Sequence, residues 1–156
     1  MADVVSAEVR SRMMSGIRGK NTKPELIIRR GLHARGFRYV IHDVRLPGKP
    51  DLVFPKYRAL IFIHGCFWHG HDCHLFKWPK TRTEFWRTKI ERNRAIDQKT
   101  VTAIKRLKWR CCVVWECSLK SPSRLREGRV VDRISTWLLS NRPEIIIRGR
   151  DIKKHR

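Results

Sequence analysis

An α/β domain built around a mixed sheet is the fold this sequence predicts, on three observations. Three short apolar runs, 37–41, 51–54 and 59–63, are separated by tight-turn signals, the pattern of an antiparallel meander. A fourth apolar run at 109–115 is set apart from the third by a long segment of helical period, so it joins after a crossover. One helix leads the meander and another follows the fourth run, enough to flank the sheet.

The elements follow in order. Residues 1–20 are polar and basic, with Val5, Val9, Met13 and Ile17 at four-residue spacing, which predicts a short amphipathic helix or arm. Thr22-Lys23-Pro24-Glu25 reads as a capping box with proline inside the first turn. The helix it starts carries Leu26, Ile27 and Leu32, and Gly36 is a natural stop. Phe37 to Ile41 is the first strand, Leu46-Pro47-Gly48 a turn, Asp51 to Phe54 the second strand and Pro55-Lys56 another turn. Ala59 to Ile63 is the third strand, apolar on both faces and therefore central and buried. A polar, aromatic-rich loop of about twenty residues comes next, long enough to carry function. Thr83-Glu84 opens a long helix, with Phe85, Trp86, Ile90, Ile96, Val101, Ile104 and Leu107 near helical period. Trp109 to Trp115 is the fourth strand, and Leu125 to Leu139 a last helix. The chain thus divides into an arm (1–20), one domain (21–140) and a basic tail (141–156).

Composition bounds the function. At 156 residues the chain holds one domain with a real core. Lys and Arg number 36 against 14 acidic residues, a net charge of +22 spread along the whole length. Self-repulsion on that scale calls for an anionic partner, with nucleic acid leading over a membrane surface or ribosomal RNA. No segment approaches the roughly 18 apolar residues that span a bilayer, and the first residues lack a signal-peptide pattern. Five cysteines, odd in number and unevenly spaced, argue for reduced thiols or metal ligands in a cytoplasmic protein.

The chemistry concentrates between Pro50 and His74. Asp51, directly after a proline at the start of a strand, is placed to hold a hard divalent cation at a sheet edge. If strands two and three form a hairpin, Asp51 meets the end of strand three, where a carbonyl or side chain at Phe62 to His64 can share the metal. Glu25 has a complete structural task in the capping box, and a second reading sets it beside Asp51, acting through metal-bound water. Cys66, His69, His71, Cys73 and His74 carry zinc-type donors; one ligand must come from elsewhere, with Cys117 the candidate and His74 the alternative. Cys111 and Cys112 read as core. His64 and His69 are free for acid/base work near neutrality. Phe67, Trp68 and Trp86, among Lys77, Lys80, Arg82, Arg87 and Lys89, suit stacking on bases or wedging into a base step, or else form a cluster covering the loop. Met13, Met14 and Ile17 read as a docking face or a second wedge.

These residues resemble the very short patch repair (Vsr) DNA mismatch endonucleases. The likeness runs from Arg10-Ser11, Met14 and Ile17 through Thr22 to Glu25 and Leu46-Pro47-Gly48-Lys49-Pro50-Asp51. It is most specific in Ile61-Phe62-Ile63-His64-Gly65-Cys66-Phe67-Trp68-His69 with His71 and Cys73, and it continues in Thr81-Arg82-Thr83-Glu84-Phe85-Trp86 and Val114-Trp115-Glu116-Cys117. The resemblance implies a restriction-endonuclease-like core of order α-β-β-β-α-β. Pro50-Asp51 is kept, while Phe62 and His64 stand where the wider PD-(D/E)xK group has an acid and a lysine, a departure that Vsr-type enzymes share. Ile63 replaces a usually polar residue, and Gly70 and Asp72 replace histidines of some relatives.

The implied activity is magnesium-dependent hydrolysis of one phosphodiester bond beside the thymine of a T:G mismatch, initiating very short patch repair. By resemblance Asp51 and the Ile63 carbonyl hold magnesium, His69 is the general base, and His64 and Glu25 support the water shell. Cys66, His71, Cys73 and Cys117 hold a structural zinc, and Phe67, Trp68 and Trp86, with Met14 and Ile17, contact DNA. The partner is double-stranded DNA with a T:G mismatch, with general mismatch-repair proteins and a repair polymerase beyond it, and the enzyme is expected to be a monomer. A zinc-stabilised DNA-binding module without catalysis, and an RNA-binding protein, are the competing readings.

Overall fold

The computed structural model describes residues 21–120 and 122–152. Met14, Ile17 and the rest of the expected arm lie outside the described residues.

Helix α1, Lys23–Ala34, starts where the capping box was expected. Thr22 Oγ1 accepts the Glu25 amide at 3.4 Å, and the Glu25 carboxylate reaches back one residue further than a standard box, to the Asn21 amide at 3.2 Å. Its inward face carries Ile28 and Leu32, and the chain turns away at Gly36 in the left-handed region.

Strands β1 (Val40–Ile41), β2 (Leu52–Phe54) and β3 (Ala59–His64) form the antiparallel meander. The first strand is shorter than its apolar run because Phe37 and Tyr39 turn inward to pack edge-on against Phe54. Helix α2, Thr83–Arg106, carries the chain over the sheet to β4 (Arg110–Trp115), which lies parallel to β3. Helix α3, Glu127–Leu138, is followed by β5 (Glu144–Ile147), parallel to β4. The sheet order is β1-β2-β3-β4-β5.

Sheet alternation divides the core in two. Leu52, Phe54, Ala59, Ile61, Cys112 and Val114 face α1 and α3, meeting Ile28, Leu32, Ile134 and Trp137. Val53, Leu60, Phe62 and Cys111 face the other way, against Ile104 of α2. Both adjacent cysteines are therefore core residues, one on each side. Strand β3 is buried from Ala59 to Phe62, as a central parallel-paired strand should be.

The segment read as a basic tail supplies β5, an element the sequence reading did not contain. Its Ile145-Ile146-Ile147 run is β-branched, but Arg, Pro and Lys surround it and only the open edge of β4 gives it a partner. Beyond it the chain presses on the end of β4. The Gly149 amide donates to Cys117 Sγ at 3.2 Å, and Arg150 N–H donates to the Ser123 carbonyl at 2.9 Å. A Cβ at Gly149 would sit 2.3 Å from the Cys117 carbonyl oxygen, so only glycine fits.

Gly149→Ala should therefore destabilise the fold by about 1–3 kcal/mol through overpacking. Gly128→Ala, where a Cβ meets nothing within 4 Å, is the control and should leave the urea midpoint unchanged or raised.

Candidate active site and metal centres

Topology decides where the site lies. Because β2 runs against β3, Asp51 at the start of β2 arrives at the carboxyl end of β3. Because β4 runs with β3, in register His64 to Trp115, the segment after β4 leaves from that same end. Crevices at the carboxyl ends of parallel strands are where α/β sheets bind ligands. Here a cavity of about 630 Å³ opens there, lined by Glu25, Asp51, His64, His69, Trp68 and Asp97 among others.

One wall is acidic. Asp51 Oδ2 accepts the Ile63 amide at 2.7 Å. In an extended strand the N–H and C=O of a residue point to the same side, so the Ile63 carbonyl also faces the Asp51 edge. Two residues on from the Leu52–Ile61 pair, β3 meets Pro50, which has no N–H to offer that carbonyl. Glu25, only 2% exposed, lies beside Asp51 and accepts from Arg29 Nη1 at 3.0 Å and from His42 Nε2 at 2.9 and 3.1 Å. Glu25 thus fills both roles expected of it, ending the helix cap and joining the acidic wall. Burial pushes the Asp51 carboxyl up to about 7; the Ile63 amide opposes this, and the neighbouring Glu25 charge adds to it. A buried and a half-buried carboxylate with a carbonyl beside them fit a hard divalent cation, the chemistry that relieves their repulsion. Donor atoms of Glu25, His42 and Asp51 all lie within 4.8 Å of one another.

The facing wall carries imidazoles. His64 and His69 stack, ring centroids 4.0 Å apart and planes 9° from parallel. His69 Nδ1 pairs with Asp97 Oδ2 at 2.5 Å, which leaves Nε2 as the nitrogen available to the cleft. His64 is pushed down to about 3, by burial first and by His69 second, so it is a neutral ring.

Behind this wall the four residues expected to hold zinc come together. Donor atoms of Cys66, His71, Cys73 and Cys117 lie within 4.8 Å of one another, His74 standing outside the group. The Cys66 and Cys117 sulfurs lie 3.5 and 3.7 Å from His71 Nδ1. The Cys66 thiol, aided by the Gly149 amide, holds Cys117 down at about 6 although burial works against it. Burial, with Arg148 nearby, lowers His71 to about 4, leaving the neutral imidazole a metal requires. Its ring stacks on Trp115 at 3.9 Å. Three sulfurs and one nitrogen in a closed, mostly buried group fit a four-coordinate zinc.

The aromatics at the cavity rim touch each other. Phe67 lies 5.3 Å from Trp68 and 5.4 Å from Trp86, and Trp68 lies 5.8 Å from Trp86. All three are half-buried, with Lys89 over the Trp68 ring at 5.9 Å. Every described residue expected in the site therefore lies in this one region. Asp97 and His42 were not expected. Asp97 had a signal, since it falls seven residues beyond buried Ile90 on the inward face of α2, an odd place for an acid. His42 had none, because its role depends on a left-handed backbone (φ 48°) after β1.

A cleft of this chemistry in so basic a chain is that of a DNA-cleaving hydrolase, and comparison with known sequences agrees. The family profile described as DNA mismatch endonuclease Vsr matches residues 2–75. The DNA mismatch endonuclease Vsr of Escherichia coli K12 is 41% identical over 138 residues, 88% of each chain. The type II nicking enzyme V.XorIIP of Xanthomonas oryzae pv. oryzae is 48% identical over 119 residues, 76% of this chain and 88% of its own. The type II nicking enzyme V.NmeAIP of Neisseria meningitidis is 44% identical over 127 residues, 81% of this chain and 91% of its own. The chain belongs to the DNA mismatch endonuclease Vsr family and is a DNA endonuclease. This sets aside the non-catalytic and RNA-binding readings. No helix among the described residues is long and apolar enough to cross a membrane.

The raised Asp51 carboxyl carries a pH signature. An unfolded aspartate releases its proton near pH 4, while Asp51 in the fold keeps its own up to about 7. The metal-free fold has this group's full contribution below about pH 4 and loses it as pH rises through about 7. Asp51→Asn should flatten the stability–pH curve over that interval, read as urea midpoints between pH 4 and 8.

Proposed function

We propose that this protein nicks one strand of double-stranded DNA beside the thymine of a T:G mismatch by magnesium-dependent hydrolysis, initiating very short patch repair. The observation that carries the reading is the single cleft lined by the Asp51–Glu25 pair and by the His64, His69 and Asp97 side chains, in a chain of this family. The topology is consistent with a restriction-endonuclease-like core, and the enzyme works as a cytoplasmic monomer, passing its nick to a repair polymerase and general mismatch-repair proteins.

Asp51 and the Ile63 carbonyl would hold magnesium. When bound, the ion supplies charge stabilisation to the phosphate. The chain's own residues do the rest. His69 takes a proton from water at Nε2, with Asp97 at Nδ1 fixing the tautomer and the orientation of the ring. Neutral His64, stacked on His69, and Glu25 orient water without competing for the proton. Cys66, His71, Cys73 and Cys117 would hold zinc and so shape the segment that carries His69. Phe67, Trp68 and Trp86 sit at the rim, where an aromatic wedge can part a base step; a wobble pair costs less to unstack than a matched one, which favours T:G. Met14 and Ile17 would add to the DNA contact.

The test is nicking of a duplex with one T:G mismatch, beside the matched duplex and an RNA control, with and without magnesium. The wild-type chain should cut the mismatched strand alone. Asp51→Ala should lower the rate by on the order of a thousandfold, with DNA affinity nearly unchanged. Equal nicking by the variant, or no preference for the mismatch, would sink the reading. Separately, Cys73→Ser should lose zinc, measured as bound metal per chain. Full zinc in that variant would remove Cys73 from the ligand set.

A further inference from the structure

His42 joins the two acids of the cleft, and nothing above gives it a task. Its ring sits against Glu25 with Nε2 at 2.9 Å from one carboxylate oxygen and 3.1 Å from the other. Its backbone amide donates to the Asp51 carbonyl at 3.1 Å. One residue therefore grips α1 through Glu25 and β2 through Asp51. A donor shared between both oxygens of a carboxylate also fixes the rotation of that group, which Arg29 and the Asn21 amide, both on Oε2, do not. The side chain is 9% exposed and that of Glu25 2%, so neither can swing out to water.

The grip depends on an uncommon backbone. His42 adopts φ 48°, the left-handed region, which is strained for a residue with a side chain. Asn, Asp and His tolerate it best among residues with a Cβ. Of these, His alone combines that tolerance with a reach long enough to span from the β1 turn to Glu25.

We propose that His42 is a positioning residue of the cation site: it locks the Glu25 carboxylate in orientation and distance relative to Asp51. The inference rests on reading Asp51 and Glu25 as the acidic side of that site. A purely structural bridge, stabilising the start of α1, is the competing explanation, and it makes a different forecast.

The experiment is a titration of the full chain with manganese, followed by calorimetry, alongside magnesium-dependent nicking of the T:G duplex. His42→Asn keeps the left-handed backbone but falls short of Glu25, so the fold should survive while the bridge is lost. Manganese affinity should weaken by about 10–100-fold, the usual effect of removing a group that orients a ligand. The magnesium concentration for half-maximal nicking should rise in parallel, while DNA affinity in calcium stays unchanged. If His42→Asn lowers the melting temperature but binds manganese like wild type, the proposal is overturned. Asp51→Ala in the same titration separates the two claims. Its loss of manganese binding together with wild-type binding by His42→Asn overturns only the role of His42. Undiminished binding by Asp51→Ala overturns the cation site itself, and this inference with it.

Discussion

The parallel pairing of β3 with β4, in register from Ala59–Arg110 to His64–Trp115, is the constraint on which everything else in the site depends. It brings two loops far apart in sequence out of the sheet at one end, side by side. The first loop carries His64, Cys66, His69, His71 and Cys73, and the second carries Cys117. A shift of one residue would turn Ile61 and Val114 away from the core and carry the site residues with them. The buried apolar faces of β3 and β4 therefore hold the site in register as well as the fold.

Against that frame the three groups of the cleft are mechanically linked. The loop that carries His69 is gathered by the cysteine group behind it and held from the outside by α2. Asn93 donates to the Trp68 carbonyl at 2.8 Å, Arg94 donates to the Gly70 carbonyl, and Asp97 pairs with His69. The last strand contributes too, through the Gly149 amide on Cys117 and Arg148 on the Asp72 carbonyl at 2.6 Å. The cysteine group reaches the imidazole wall through His71 and Trp115, whose rings stack at 3.9 Å, and Trp115 meets both His64 and His69. That explains why so much of a small chain, including its C-terminal segment, serves one cleft.

Much of this was legible before any coordinates. The meander, the crossover helix and the buried central strand follow from apolar runs and turn residues. Asp51 and the Cys/His group stand out by residue chemistry, while the role of Glu25 in the site and the choice of Cys117 over His74 come from the family resemblance. What was missed shares a cause. Strand β5 needs the open edge of β4 to become a strand, and a run of three isoleucines among charges does not announce that edge. Asp97 lies twenty-eight residues beyond its partner His69; its place on the inward face of α2 marks it as unusual, and only packing reveals which side chain it meets. His42 depends on a backbone conformation that no side-chain pattern encodes.

By itself the sequence determined the inventory: a basic chain suited to an anionic polymer, thiols and imidazoles of the kind that ligate metals, carboxylates suited to a hard cation, and aromatics between them. Those are properties of side chains and need no partner to exist. The tertiary structure alone decided the pairings, namely His69 with Asp97 and Glu25 with His42. Pairings depend on distances across strands and helices, and those distances are set by the burial of residues that take no part in the chemistry.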